Sequence, residues 1–280
     1  GGRAVFGVVP FSDAANRLIG FAATSDDIIS TIDFQRFDPV ALGENMQAHY
    51  ERPLVSPDGT TMSFFVVDEA RGEAALWLAS WGHDPRQVAR WSVPADAIPS
   101  RAFAAAWIDD RTLLLTRAED WDRGMPGQAA LVRVAVDGDE TRVEELARID
   151  GRGGDRGVVV QEMAVSPDGT QLAYRLRHYR AFAADREVMD TVRVVALTDV
   201  TSPIELSSGG ASAGLSWAPD SRWLATSTGG RIIVASSDGR AIRDIAEDLP
   251  GAAHPVWVGS EVWFSVPDQD HAMWRVVVRE

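Results

Sequence analysis

Val55-Ser56-Pro57-Asp58-Gly59-Thr60 recurs without change as Val165-Ser166-Pro167-Asp168-Gly169-Thr170. A looser copy stands at Trp217-Ala218-Pro219-Asp220-Ser221. A short apolar run precedes each copy, and an alternating one follows at 62–67, 172–176 and 224–227. The residue order has a physical reason. Pro presets φ for the first turn position, Asp accepts backbone hydrogen bonds, and Gly takes the left-handed position that lets an antiparallel strand continue. The hexapeptide therefore reads as the tight connection between the first two strands of a repeated sheet.

Aligning on the residue before Ser or Ala recovers three weaker copies, anchored at Phe11, Trp107 and Trp257. The six anchors (Phe11, Val55, Trp107, Val165, Trp217, Trp257) are spaced 44, 52, 58, 52 and 40 residues apart. A propeller blade of four strands takes about 40–50 residues. The two long spacings carry visible insertions, at 119–128 and 178–190. Between the anchors run short alternations of β-branched and aromatic residues, such as 75–79, 130–136, 231–235 and 273–278, with further hairpin chemistry at Asp137-Gly138-Asp139 and Ser237-Asp238-Gly239. The segment nearest to a helix, 240–249, reads as a hairpin turn and an outer strand.

An all-β chain of such repeats buries its sheets only by stacking them, and radial closure leaves short, protected edges. The predicted fold is a six-bladed β-propeller of four-stranded antiparallel blades, one domain over 1–280. Its blades run over 3–45, 46–94, 98–149, 157–208, 211–249 and 252–280. The last is expected to be short, or to take its outer strand from residues before Gly1. Trp77, Trp107, Trp217, Trp223, Trp257, Trp263 and Trp274 are expected to pack between blades.

Ser-Pro-Asp-Gly followed by an apolar alternation, a further strand and an Asp-Gly hairpin resembles the repeat of TolB-type propellers, which are related to the WD type. The resemblance spans essentially the whole chain, strongly in three blades and weakly in three. It implies architecture rather than chemistry, because such blades serve binding proteins, peptidase gating domains and enzymes alike. It also implies an extracytoplasmic location, periplasmic or at the cell surface. The start at Gly-Gly-Arg, without an initiator Met, is expected of a trimmed chain or of a processed product.

Composition narrows the chemistry. There is no Cys, so disulfides, thiolate metal sites and Cys nucleophiles are excluded. There is no Lys either, which removes Schiff-base and P-loop chemistry. A net charge of −14 opposes nucleic acid and anionic membrane surfaces. No run of 18 apolar residues occurs, so no segment is expected to insert into a membrane.

Three residues before each anchor stand Val8, Arg52, Ala104, Glu162, Gly214 and His254. At the mouth of a propeller channel, Arg52, Glu162 and His254, with His49 nearby, form a candidate ligand-binding ring. The competing reading is a polar ring that satisfies itself. Gly210-Ala211-Ser212-Ala213-Gly214 matches a nucleophile-elbow pattern, but it leads into a strand where the chemistry needs a following helix. The five His residues (49, 83, 178, 254, 271) contain no pair at metal-ligand spacing. No catalytic set, metal or cofactor is expected.

The two insertions carry the interface-type residues Trp121, Arg123 and Met125, and His178, Tyr179, Arg180 and Phe182. They are expected to form a partner-binding surface. The expectation is thus a monomeric, non-catalytic recognition propeller for a protein or peptide. The rivals are a hydrolase or lyase at the channel mouth, metal-dependent in one form, and a sensing or gating domain of a larger protein.

Overall fold

The computed structural model describes residues 11–12, 18–23, 32–37, 48–68, 71–80, 84–94, 103–122, 125–138, 140–151, 157–179, 188–210, 213–266 and 272–278. For 11–12, 18–23, 32–37, 48–52, 188 and 272 the description covers the backbone only. Among the described residues there are 22 strands and no helix.

The strands form six antiparallel sheets, each taken up in chain order. The first holds β1 (Phe11–Ser12), β2 (Leu18–Ala23) and β3 (Ile32–Phe37). The second holds β4 (Ala48–Val55), β5 (Thr61–Asp68), β6 (Glu73–Ser80) and β7 (Arg86–Ser92). The third holds β8 (Phe103–Asp109), β9 (Thr112–Asp122), β10 (Met125–Asp137) and β11 (Glu140–Asp150). The fourth holds β12 (Gly157–Val165), β13 (Gln171–Tyr179), β14 (Val188–Ala196) and β15 (Asp199–Gly209). The fifth holds β16 (Leu215–Trp217), β17 (Trp223–Thr228), β18 (Arg231–Ser236) and β19 (Ile242–Asp244). The sixth holds β20 (Ala253–Val258), β21 (Glu261–Val266) and β22 (Ala272–Val277).

The repeated hexapeptide makes the turn its residues predict. Ser166 N–H donates to Gln171 O at 2.9 Å and Gly169 N–H to Ser166 O at 2.8 Å. Ser166 Oγ donates to Asp168 Oδ1 at 2.6 Å and accepts from Gln171 N at 2.9 Å. Asp168 Oδ1 also accepts from Thr170 N at 3.0 Å. Gly169 sits at φ 71°, where a Cβ would be strained. The 55–60 copy repeats this circuit. So does Ser236–Ala241, joining β18 to β19.

The contacts group into two compact units. One comprises residues 1–100, 107–114 and 133–144; the other comprises 101–106, 115–132 and 145–280. In the first, Met62, Phe64, Val66 and Ala79 form a buried cluster beside Val55 and Trp77. In the second, Ala173, Val192, Val194 and Leu206 of the fourth sheet pack on Trp217, Leu224 and Ala235 of the fifth. Ala225, Ile232 and Val234 of the fifth sheet pack on Val262, Phe264 and Val266 of the sixth. Middle strands are buried on both faces, as in β5, whereas outer strands such as β11 are largely exposed. That is the burial expected of sheets stacked face to face.

Two segments differ from expectation. Residues 119–122 and 125–128 are not a separate loop: they lengthen β9 and β10. In the second insertion, His178 and Tyr179 belong to β13, and Val188–Asp190 open β14. Each insertion lengthens strands because the extra residues continue an existing backbone ladder and so satisfy their own N–H and C=O groups. Segment 240–249 contains the three-residue strand β19 followed by turns.

Candidate functional site at the first-strand bulges

The first strands of three sheets break register at the position the sequence singles out. The shift falls between Glu51 and Leu54 in β4, between Val160 and Glu162 in β12, and between Ala253 and Val256 in β20. The break leaves Arg52 in β4 and His254 in β20 without a cross-strand partner, and in β12 it leaves out Gln161, beside Glu162, which pairs with Arg175. Arg52 and His49 lie on β4, and their side chains are outside the described residues.

Glu162 is the best defined of the three. Its Oε2 accepts from Gly214 N at 3.1 Å, and its Oε1 accepts from Leu215 N at 3.0 Å. Arg175 Nη2 donates to the same carboxylate at 3.3 Å. The two amides belong to the start of the next sheet, so the carboxylate ties the fourth sheet to the fifth. Arg175 Nη1 donates in turn to Asp190 Oδ2 at 3.3 Å, and Arg177 grips both oxygens of Asp190 at 2.7 and 2.8 Å. Asp190 has no solvent exposure, so these charge-assisted bonds replace its hydration.

Gly214 completes the row. It has φ +81°, and a Cβ there would lie 2.8 Å from Pro255 Cδ and 3.0 Å from His254 Cα. Only glycine allows the backbone of the sixth sheet to come this close. Glu162, Gly214 and His254 thus follow one another across three consecutive sheets. His254 itself is exposed and in the left-handed region, at φ 54°. Among the described residues, no group of three or more His, Cys, Asp or Glu side chains is placed to hold a metal. Ser212 lies outside the described residues.

Indole groups that composition alone would assign to packing also make bonds between sheets. Trp107 Nε1 donates to Leu54 O at 3.3 Å, and Trp217 Nε1 donates to Ala164 O at 3.0 Å. Leu54 and Ala164 hold the same place, one residue before their anchors. The turns are linked as well: Asp58 N donates to Asp110 Oδ1 at 2.8 Å and Asp168 N to Ser221 Oγ at 3.0 Å. The sequence signal for these links is an offset of 53 residues in both indole pairs and of 52 and 53 residues in the two turn pairs.

The second candidate group is divided. Met125, Val159 and Tyr179 form a buried cluster. His178 is fully buried, with Nε2 3.0 Å from Thr191 Oγ1. Met125, His178 and Tyr179 are therefore interior residues rather than a presented surface, because the lengthened hairpins pack against their neighbours. Trp121 is half-buried near the end of β9. Arg123, Arg180 and Phe182 lie outside the described residues. Arg117 pairs with Glu119 and with Glu145 at 3.3 Å, and Arg148 pairs with Glu145 at 3.2 Å.

No family model and no curated protein sequence matches the chain. Solved structures resemble it. The β-propeller domain of the Trilobed protease from Pyrococcus furiosus has a TM-score of 0.55 at 10% identity, over 94% of this chain and 82% of that one. An oligogalacturonate lyase from Vibrio parahaemolyticus gives 0.57 at 10% identity, over 95% and 75%. A chain of a nidogen/laminin complex gives 0.51 at 13% identity, over 94% and 86%. Likeness at this identity establishes fold alone: the chain has the all-β, antiparallel architecture of β-propeller proteins.

Proposed function

We propose that the chain is a six-bladed β-propeller that recognises a protein or peptide partner without catalysing a reaction, and that it works as a monomer outside the cytoplasm. One observation carries the reading. The two hairpin extensions, from adjacent sheets, meet where Met125, the first residue of β10, packs with Val159 and with Tyr179, the last residue of β13. Gly157, where a Cβ would fall 3.0 Å from Met125 Cβ, allows that approach. A blade needs no such extension, and an ion-paired hairpin bearing Trp121 suits recognition. Glu162 is meanwhile engaged between the fourth and fifth sheets, and Arg175 is engaged within the fourth.

A photo-reactive amino acid placed at Trp121 tests the reading against the same group at Val143, which is exposed on β11. We expect a discrete adduct from position 121 in the native host and none from 143. Equal labelling from both positions would remove the extension as the recognition element.

A further inference from the structure

A groove of about 650 Å³ opens at the turn end of the seam between the fifth and sixth sheets. Its wall is apolar, built mainly by Trp223, Val234, Ile245, Trp257, Val276 and Val278. Asp220, Arg222, Arg243 and Ser260 stand around it. The seam between the second and third sheets has a groove at the matching place, of about 720 Å³.

In the second–third groove the protein completes its own bonds. Asp110 accepts from the Asp58 amide, and the Trp107 indole donates to Leu54 O. Arg86 reaches Gly138 O at 2.7 Å and Thr141 Oγ1 at 3.3 Å, and Arg111 pairs with Asp137 at 3.6 Å. The fifth–sixth groove keeps one bond at its inner end, from Trp257 N to Ser216 Oγ at 2.9 Å. Its other counterparts are missing. Ser260, three residues past its anchor as Asp110 is past Trp107, makes no bond to the Asp220 turn among the described residues. The Trp257 indole nitrogen has no acceptor. Arg222 and Arg243 are exposed, and among the described residues their guanidinium groups make no ion pair or hydrogen bond. Arg243 pairs with Val234 across β18 and β19, which puts it on the groove side of the sheet.

We propose that this groove binds a small amphipathic monocarboxylate. The apolar body lies on Trp223, Trp257 and Ile245, and the carboxylate meets the two guanidinium groups, whose planar forks match it. Two Arg charges against the Asp220 carboxylate leave one net positive charge at the rim, which suits a monoanion. The volume lies in the range of about 300–1,000 Å³ usual for small-ligand sites.

Calorimetric titration of the intact chain with decanoate tests this, with decanol as the uncharged control. We expect saturable one-to-one binding of decanoate and none of decanol. The pair Arg222→Ala with Arg243→Ala, both surface changes, should weaken decanoate roughly tenfold or more. Ile245→Glu, which sets a like charge in the groove, should abolish binding while the far-ultraviolet circular dichroism is unchanged. The proposal is overturned if decanoate does not saturate, if decanol binds as tightly, or if the double Arg variant keeps the original affinity.

Discussion

Asp168 accepts hydrogen bonds from Ser166, the Thr170 amide and the Thr170 hydroxyl. The Ser166 hydroxyl first, then the Thr170 amide, hold its carboxyl below the ordinary carboxylate range. Ser236 does the same for Asp238. A folded value below the unfolded one, about 3.9, means that the stabilisation is fully present above about pH 4. It is lost as pH falls through the folded value. Asp168→Asn should therefore melt below the parent at pH 7, with the gap shrinking towards pH 2; a gap independent of pH would deny the carboxylate this role. Ser221 occupies the glycine position of its turn at φ 62°, yet its hydroxyl accepts from Asp168 N. Ser221→Ala keeps the strain and loses the bond, for about 1 kcal/mol in denaturant unfolding. Ser221→Gly loses the bond but relieves the strain, so it should lie closer to the parent.

At the scale of the element, what the sequence reveals depends on how local the cause is. The Val-Ser-Pro-Asp-Gly-Thr turn is legible because its bonds close within six residues. The register of Arg52, Glu162 and His254 is legible because the anchors count it out. The partners of Glu162 are not, since Gly214 and Leu215 lie 52 and 53 residues away on another sheet. Nor is the burial of Met125, His178 and Tyr179: aromatic and soft side chains in an insertion look alike whether they face solvent or a neighbouring strand. Gly157 tests the packing that decides between them. Gly157→Ala should crowd Met125 and cost about 1–3 kcal/mol. Met125→Ala in the same chain should restore part of that loss, a non-additivity that only direct contact produces.

At the scale of the whole molecule, the same bonds recur within each compact unit: indole to carbonyl and turn amide to side chain at the second–third and fourth–fifth seams, with carboxylate to first-strand amides added at the fourth–fifth. Sheets that cannot bury their faces alone depend on these seams for stability. The central claim is that Glu162, on a first strand, serves such a seam. Groups kept for function behave differently on removal, which is usually neutral or even stabilising. Scanning calorimetry of Glu162→Ala beside the parent chain separates the two cases. The account predicts a lower melting temperature, equivalent to about 2 kcal/mol, because the Gly214 and Leu215 amides and Arg175 lose a charged partner. An unchanged or raised melting temperature would contradict it and return Glu162 to the list of groups held for binding or chemistry.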